Sequence, residues 1–369
     1  MPEFVSATPF HPGEYIKDEM EARGWTQEDL AEVMGISRRQ IVNLLQGKSG
    51  ITAETAVALA AAFEGQSATT WMNLQSSYEL AQVKKEKTDS ALLSRIFEKA
   101  PVRELRRRNW ISGTKDLKTL EREVCSFLSV NSINEEPAIS FAARKGTGYE
   151  QDTSSQVAWY CRARQLAERV HAKSFAADFW DAGVKELVKL AAYPEDVRKV
   201  PSTLADMGIR FLVVEQLKGT KIDGVALWLD DDTPAIALSL RYDRIDNFWF
   251  TLLHELTHIK YHDTSCIDVE LDEADDSLPD IEKRANAEAA EAILAKESIE
   301  SFIHRNRPIF YASKIAQFSA ARGIHPGIVV GQLQKRKELS YQQLRQFLVK
   351  VRSEVICNSL TDGWGNSLR

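Results

Sequence analysis

Apolar positions recur at helical spacing through most of the first 200 residues and change to short continuous runs beyond them. Residues 13–23 place Tyr15, Ile16 and Met20 on one helical face, and Gly24 stops that helix. Thr26 caps a second helix with Glu28 and Asp29 in its first turn and Leu30, Ala31 and Met34 as its apolar stripe. Gly35 is the turn. Ser37 caps a third helix, in which Ile41, Leu44 and Leu45 face inward and Gly47 ends the run. Thr52 caps a fourth helix through Phe63, and Thr69 or Thr70 opens a fifth through Trp71, Leu74, Tyr78 and Leu80.

Lys84-Lys85-Glu86-Lys87 reads as a hinge or a helix extension, and Leu92, Leu93, Ile96 and Phe97 form a helical stripe that ends at Pro101. The pattern restarts over 102–110, and Leu117, Leu120, Val124, Phe127 and Leu128 resume it after Gly113. Residues 131–153 are polar and predict a loop, whereas 157–170 and 175–190 are helical. Beyond Pro201, three apolar runs at 209–214, 224–229 and 235–240, separated by turn residues, predict strands. Helical spacing then returns over 248–262 and 281–296. The pattern predicts a multi-domain chain, mainly α with a small β-sheet. An all-α domain covers 1–83, a helical connecting region 84–200, an α+β domain 201–340, and a helical C-terminal tail 341–369.

A length of 369 residues, beyond what one core usually supports, agrees with several domains. No apolar run reaches the roughly 18 residues of a membrane span, and the first 25 residues lack a signal-peptide pattern. A cytoplasmic protein without a membrane partner is therefore expected. The 4 cysteines are scattered without a C-x-x-C pair, which argues against a disulfide framework or a cysteine metal cluster. Net charge is -6 and unevenly spread: 84–122 holds 12 basic against 6 acidic residues, and 263–282 holds 9 acids with no Lys or Arg. Both runs read first as solvated faces. The Arg106-Arg107-Arg108 cluster reads the same way, with contact to a DNA backbone as the alternative.

A helix, a short turn with Gly, and a capped helix form the helix-turn-helix arrangement, whose second helix enters the DNA major groove. Arg38, Arg39 and Asn43 stand on the outward side of that helix, and Arg grips guanine while Asn grips adenine. Gln27 and Lys48 suit phosphate contacts. Against this, residues 1–80 carry 5 basic and 11 acidic side chains. Phosphate neutralisation supplies most affinity, so such a domain must concentrate its positive charge, borrow it from a second subunit, or bind weakly. Use of the fold only for dimerisation or partner binding is the alternative.

His11-Pro12-Gly13-Glu14, 26–30, 37–48, Gly50-Ile51-Thr52 and Trp71-Met72-Asn73-Leu74-Gln75 resemble the HigA (VapI-type) antitoxins of the Xre helix-turn-helix class. The resemblance covers about residues 10–80. It implies a lambda-repressor-like fold and a homodimer that represses double-stranded operator DNA and pairs with a small toxin. It also implies that Arg38, Arg39 and Asn43 read bases while Gln27 touches phosphate.

His254-Glu255-Leu256-Thr257-His258 is the H-E-x-x-H pattern of a zinc peptidase helix: both imidazoles lie on one face, and Glu255 can reach a water on their metal. A catalytic zinc needs a third protein ligand. His262 continues the face, but three helical positions spread over about 12 Å are too far apart for one ion. A metzincin arrangement requires a Gly after the second His, and 259–261 offers none. Glu282 can serve if the helix it opens packs antiparallel to the first.

The segment from Phe248 to His258, followed by Glu282-Lys283-Arg284-Ala285-Asn286, resembles the ImmA/IrrE metallopeptidases over about 200–335. That resemblance implies a zincin-like domain in which His254, His258 and Glu282 bind Zn2+, Glu255 is the general base, and Asn286 supports the site. Thr257 replaces the family's usual Gly, and Leu294-Ala295 its Met-Pro, so ligation is preserved while turnover is in question. His325 and Tyr311 are candidate oxyanion donors, each read first as structural. The combined expectation is a regulator and antitoxin with a zinc endopeptidase domain that cuts a regulatory partner protein. The alternative is an antitoxin and autorepressor whose peptidase-like domain only senses or docks.

Overall fold

Local capping and tight turns shape the first part of the computed structural model, which describes residues 10–137, 153–177, 180–263, 266–269 and 279–366. The chain divides into two units, Met1–Ser94 and Arg95–Arg369. In the first, α1 (Pro12–Arg23) is capped by His11, whose Nδ1 accepts the Gly13 N–H at 2.9 Å. The helices α2 (Gln27–Met34) and α3 (Arg38–Leu45) both begin with capping boxes, Thr26 with Asp29 and Ser37 with Gln40. Between them Gly35 adopts φ +66°, a left-handed turn that costs glycine nothing. The unit continues with α4 (Ala53–Ala62) and α5 (Ala68–Lys99). Ile16, Leu30, Ile41, Leu59, Phe63 and Trp71 form its core. Residues 84–87 lie inside α5, as the helix-extension reading expects.

The second unit holds α6 (Val102–Arg107), α7 (Leu117–Leu128), α8 (Ser154–Ala167), α9 (Trp180–Lys189) and α10 (Val200–Asp206) before its sheet. Strands β1 (Arg210–Val214), β2 (Ile222–Trp228) and β3 (Pro234–Leu238) occupy the three predicted apolar runs. Then follow α11 (Ile245–Lys260), β4 (Cys266–Val269), α12 (Asp280–Ile293), α13 (Lys296–Asn306), α14 (Ala312–Arg322), α15 (Pro326–Lys335), α16 (Arg352–Cys357) and β5 (Leu360–Asp362). The sheet order is β4-β2-β3-β1-β5, with β1 parallel to β3 and β5, and β2 antiparallel to β3 and β4.

Every side chain of β1 beyond Arg210 is buried because the sheet is covered on both faces. Phe211 and Val213 join the core shared with α11, whereas α8 crosses the other side and donates the Trp159 indole N–H to Val214 O at 3.0 Å. The helices expected to connect two domains therefore belong to the second unit. The tail expected to be helical over 341–369 instead ends in β5, which joins the sheet beside β1. Asp362 of β5 is wholly buried and accepts from Arg162 Nε at 2.6 Å and Trp110 Nε1 at 2.9 Å. Arg108 is also buried, donating to the Glu215 and Gln216 carbonyls, and Arg106 donates to Thr114 O. Two members of the arginine cluster are thus engaged by the unit's own backbone; only Arg107 points largely to solvent. The predicted 131–153 loop and the acidic run at 263–282 fall largely on residues outside those described. Among the described residues, no helix is long and apolar enough to cross a membrane.

Candidate metal centre and candidate nucleic-acid interface

α11 is buried almost throughout, because its apolar positions pack on the sheet, on α12 and on α15. Its polar residues at 254, 255 and 258 are consequently enclosed. α12 lies alongside and begins with acids, which favours a helix N-terminus and places Glu282 in its first turn. His254 Nε2 and His258 Nε2 are 3.0 Å apart, and Glu282 Oε2 lies 3.2 Å from the first and 3.7 Å from the second. Ligand atoms of these three buried residues all fall within 4.8 Å of one another.

The remaining ring nitrogens have partners. His254 Nδ1 meets Asn286 Oδ1 at 3.0 Å, and His258 Nδ1 meets Asp263 Oδ2 at 3.0 Å. Both partners can accept a proton from Nδ1, and in that tautomer Nε2 is the nitrogen that can ligate a metal. Asp263 is in turn gripped by Arg284 Nη2, at 2.8 and 2.7 Å from its two oxygens, and Arg284 lies over the Tyr261 ring at 3.9 Å. Tyr261 and Lys260 both donate to Glu288 on α12. α12 therefore supplies Glu282 directly, orients His254 through Asn286, and orients His258 through Arg284 and Asp263.

Burial disfavours a charged His258, but the Glu282 hydrogen bond and the Glu255 charge outweigh it and raise its pKa. Burial also works against ionised Glu282; its hydrogen bonds from His254 and His258 prevail and hold it far below the usual carboxylate range. Glu255 is fully buried, and its carboxylate occupies space left by Gly224 on β2: a Cβ there would stand 2.7 Å from Glu255 Oε1. Thr257 gives its hydroxyl to Leu253 O at 3.0 Å, so the helix itself accommodates the side chain at this position.

His262 stands apart from the cluster. α11 ends at Lys260, His262 turns to φ +51°, and its ring stacks on Trp228 with centroids 4.4 Å apart. His325 caps α15, with Nδ1 accepting the Gly327 N–H at 3.0 Å, and Tyr311 is exposed at the start of α14. Asp263, Arg284 and Gly224 had no distinguishing sequence signal: two are charged residues in a charged region, and Gly224 lies within an ordinary strand.

In the first unit, Arg38 and Arg39 occupy the opening turn of α3 and are exposed, while Asn43, a turn later, is half-buried. Gln27 begins α2, and Lys48 follows Gly47 beyond the end of α3, its N–H bonded to Asn43 O at 2.9 Å. Arg38 is not isolated: its Nε lies 2.7 Å from Glu28 Oε1.

A helix-turn-helix family model matches residues 16–67. Virulence-associated protein A' of Dichelobacter nodosus is 33% identical over 75 residues, 20% of this chain and 65% of that protein, so the chain spans just under two thirds of that relative. Antitoxin HigA-1 of Vibrio cholerae serotype O1 is 40% identical over 73 residues, 20% of this chain and 68% of that protein. Among solved structures, the Pseudomonas aeruginosa antitoxin HigA with the higBA promoter is 32% identical, with TM-score 0.22, covering 22% of this chain and 90% of that one.

Proposed function

Because the chain belongs, through its N-terminal helices, to the helix-turn-helix family that includes the HigA antitoxins, we propose that it is a DNA-binding regulator and antitoxin carrying a zinc-dependent endopeptidase unit. In this reading Arg38, Arg39 and Asn43 read base edges of double-stranded operator DNA, and Gln27 and Lys48 set the register on its phosphates. Two copies of the chain, as a homodimer, match two half-sites.

The observation that supports the peptidase half is the buried convergence of His254, His258 and Glu282 with Glu255 enclosed on the same helix. Two imidazoles and a carboxylate are the donor set of a catalytic zinc that keeps one position open. The residues present fit such an ion, since each ring's other nitrogen already has an acceptor. A zinc ion held by His254, His258 and Glu282 would supply an acidified water and polarise a peptide carbonyl. Glu255 would then take the water's proton on a carboxylate oxygen and return it to the leaving amine nitrogen. Asn286 and Asp263 keep the imidazoles in the ligating orientation throughout. A peptidase joined to an operator-binding unit implies a narrow substrate, a partner toxin or another repressor.

The test is capture of bound protein on full-length Glu255→Gln beside wild type. The expected result is a partner that accumulates on the variant and is cut by wild type. Cutting at the wild-type rate by Glu255→Gln removes that residue as base. A toxin held intact by both proteins instead supports a purely docking role for the second unit. In parallel, Arg38→Ala with Arg39→Ala releases the operator; undiminished binding by that double variant removes the base-reading assignment.

A further inference from the structure

An acid stands beside the helix assigned to base reading. Glu28, the second residue of α2, places Oε1 2.7 Å from Nε of Arg38, the first residue of α3. The side chains are 59% and 64% exposed, so the contact lies on the surface and does not serve the core. A guanidinium offers several donor edges. With the carboxylate on Nε, the terminal Nη1 and Nη2 remain for guanine O6 and N7, which are gripped by two parallel bonds. The Glu28 charge also adjoins Gln27, the residue assigned to phosphate. A fixed negative charge there weakens attraction to every DNA sequence, whereas an oriented Arg38 gains only where guanine faces it.

We propose that Glu28 is a specificity-determining positioning residue, which presents Arg38 to guanine and disfavours DNA lacking the matching base. The proposal rests on the reading of α3 as the base-reading helix. It gives the acidic balance of this unit a use: selectivity gained at the expense of general affinity.

An exposed ion pair is worth up to about 1 kcal/mol, so its loss should change the ratio of operator to random-DNA affinity by about fivefold. Removing the carboxylate should also steepen the salt dependence of random-DNA binding by up to about 0.9 in log-log slope. The experiment compares full-length wild type, Glu28→Gln, Glu28→Asp, Arg38→Ala and the Glu28→Gln/Arg38→Ala double variant by fluorescence anisotropy. The probes are the duplex that wild type selects from a random library and a scrambled duplex of the same composition. Glu28→Gln is expected to bind scrambled DNA more tightly and to lose about fivefold in the ratio. Glu28→Asp, too short for the same contact but still charged, should lose ratio while keeping the wild-type salt slope. Once Arg38 is Ala, Glu28→Gln should leave the ratio unchanged. An unchanged ratio in both Glu28 variants, with Arg38→Ala collapsing it, overturns the proposal alone; so does an equal loss with and without Arg38. A ratio untouched by Arg38→Ala overturns the base-reading premise and the proposal with it.

Discussion

Replacing Gly224 by alanine inserts one methyl group behind Glu255. The new Cβ would lie 2.7 Å from Glu255 Oε1 and 3.0 Å from both Leu238 Cδ2 and Thr251 Cγ2. Comfortable contact begins near 3.5 Å, so the carboxylate must retreat by roughly 0.8 Å. Glu255, Leu238 and Thr251 are all buried, which leaves no solvent-filled space to receive the displacement. Overpacking of this kind costs about 1–3 kcal/mol. At about 2–4 °C per kcal/mol for a unit of this size, its melting transition should fall by about 2–12 °C. The three atoms nearest the methyl group belong to Glu255, Leu238 and Thr251 and to none of the ligand residues His254, His258 and Glu282, so metal content should match wild type. Cleavage should fall much further, since misplacing a catalytic group by about 1 Å can cost on the order of 100-fold. Calorimetry, metal analysis and cleavage of the captured partner measure the three effects separately. Wild-type melting together with wild-type cleavage would refute the packing of β2 against Glu255, and loss of metal would refute the separation of base from ligands.

Other perturbations test other parts of the fold. Asp263→Asn should weaken metal affinity about 10- to 100-fold in chelator competition, because the group that orients His258 is altered while every ligand remains; unchanged affinity contradicts that role. Asp362→Ala leaves Arg162 buried without its carboxylate, a loss of about 3–5 kcal/mol. By the same scaling the second unit should melt about 6–20 °C lower, and an unshifted transition argues against the β5 clasp. In the metal-free chain, the raised His258 pKa contributes stability that is complete below the ordinary value of 6.5 and lost as pH rises through the folded value. The depressed Glu282 pKa contributes above the ordinary 4.5 and is lost as pH falls through its folded value. Melting in the presence of chelator should therefore show this contribution most fully between pH 4.5 and 6.5, and not in Glu282→Gln.

Elements set by neighbouring residues were legible in the sequence. Thr26, Gly35 and Ser37 specify the helix-turn-helix within a dozen positions, and they appear as two capping residues on either side of a left-handed turn. The three central strands were visible as apolar runs because both sheet faces are covered. The four-residue spacing of His254 and His258, and the acids that open α12, also announced where donors would stand. Long-range choices were hidden. β5 is three residues long and pairs with a strand some 150 positions earlier, so no local period marks it. Arg108 and Arg162 have the composition of a surface yet are buried, because carbonyls and Asp362 from distant segments receive them. Asp263 looked like one acid in an acidic run until the fold brought Arg284 to it.

Metal stoichiometry of the purified full chain tests the central claim most directly, by native mass spectrometry after reconstitution with zinc. The account predicts one zinc per chain in wild type and in Glu255→Gln, and none in Glu282→Ala. A wild-type chain that holds no metal, or a Glu282→Ala chain that holds as much as wild type, would contradict it.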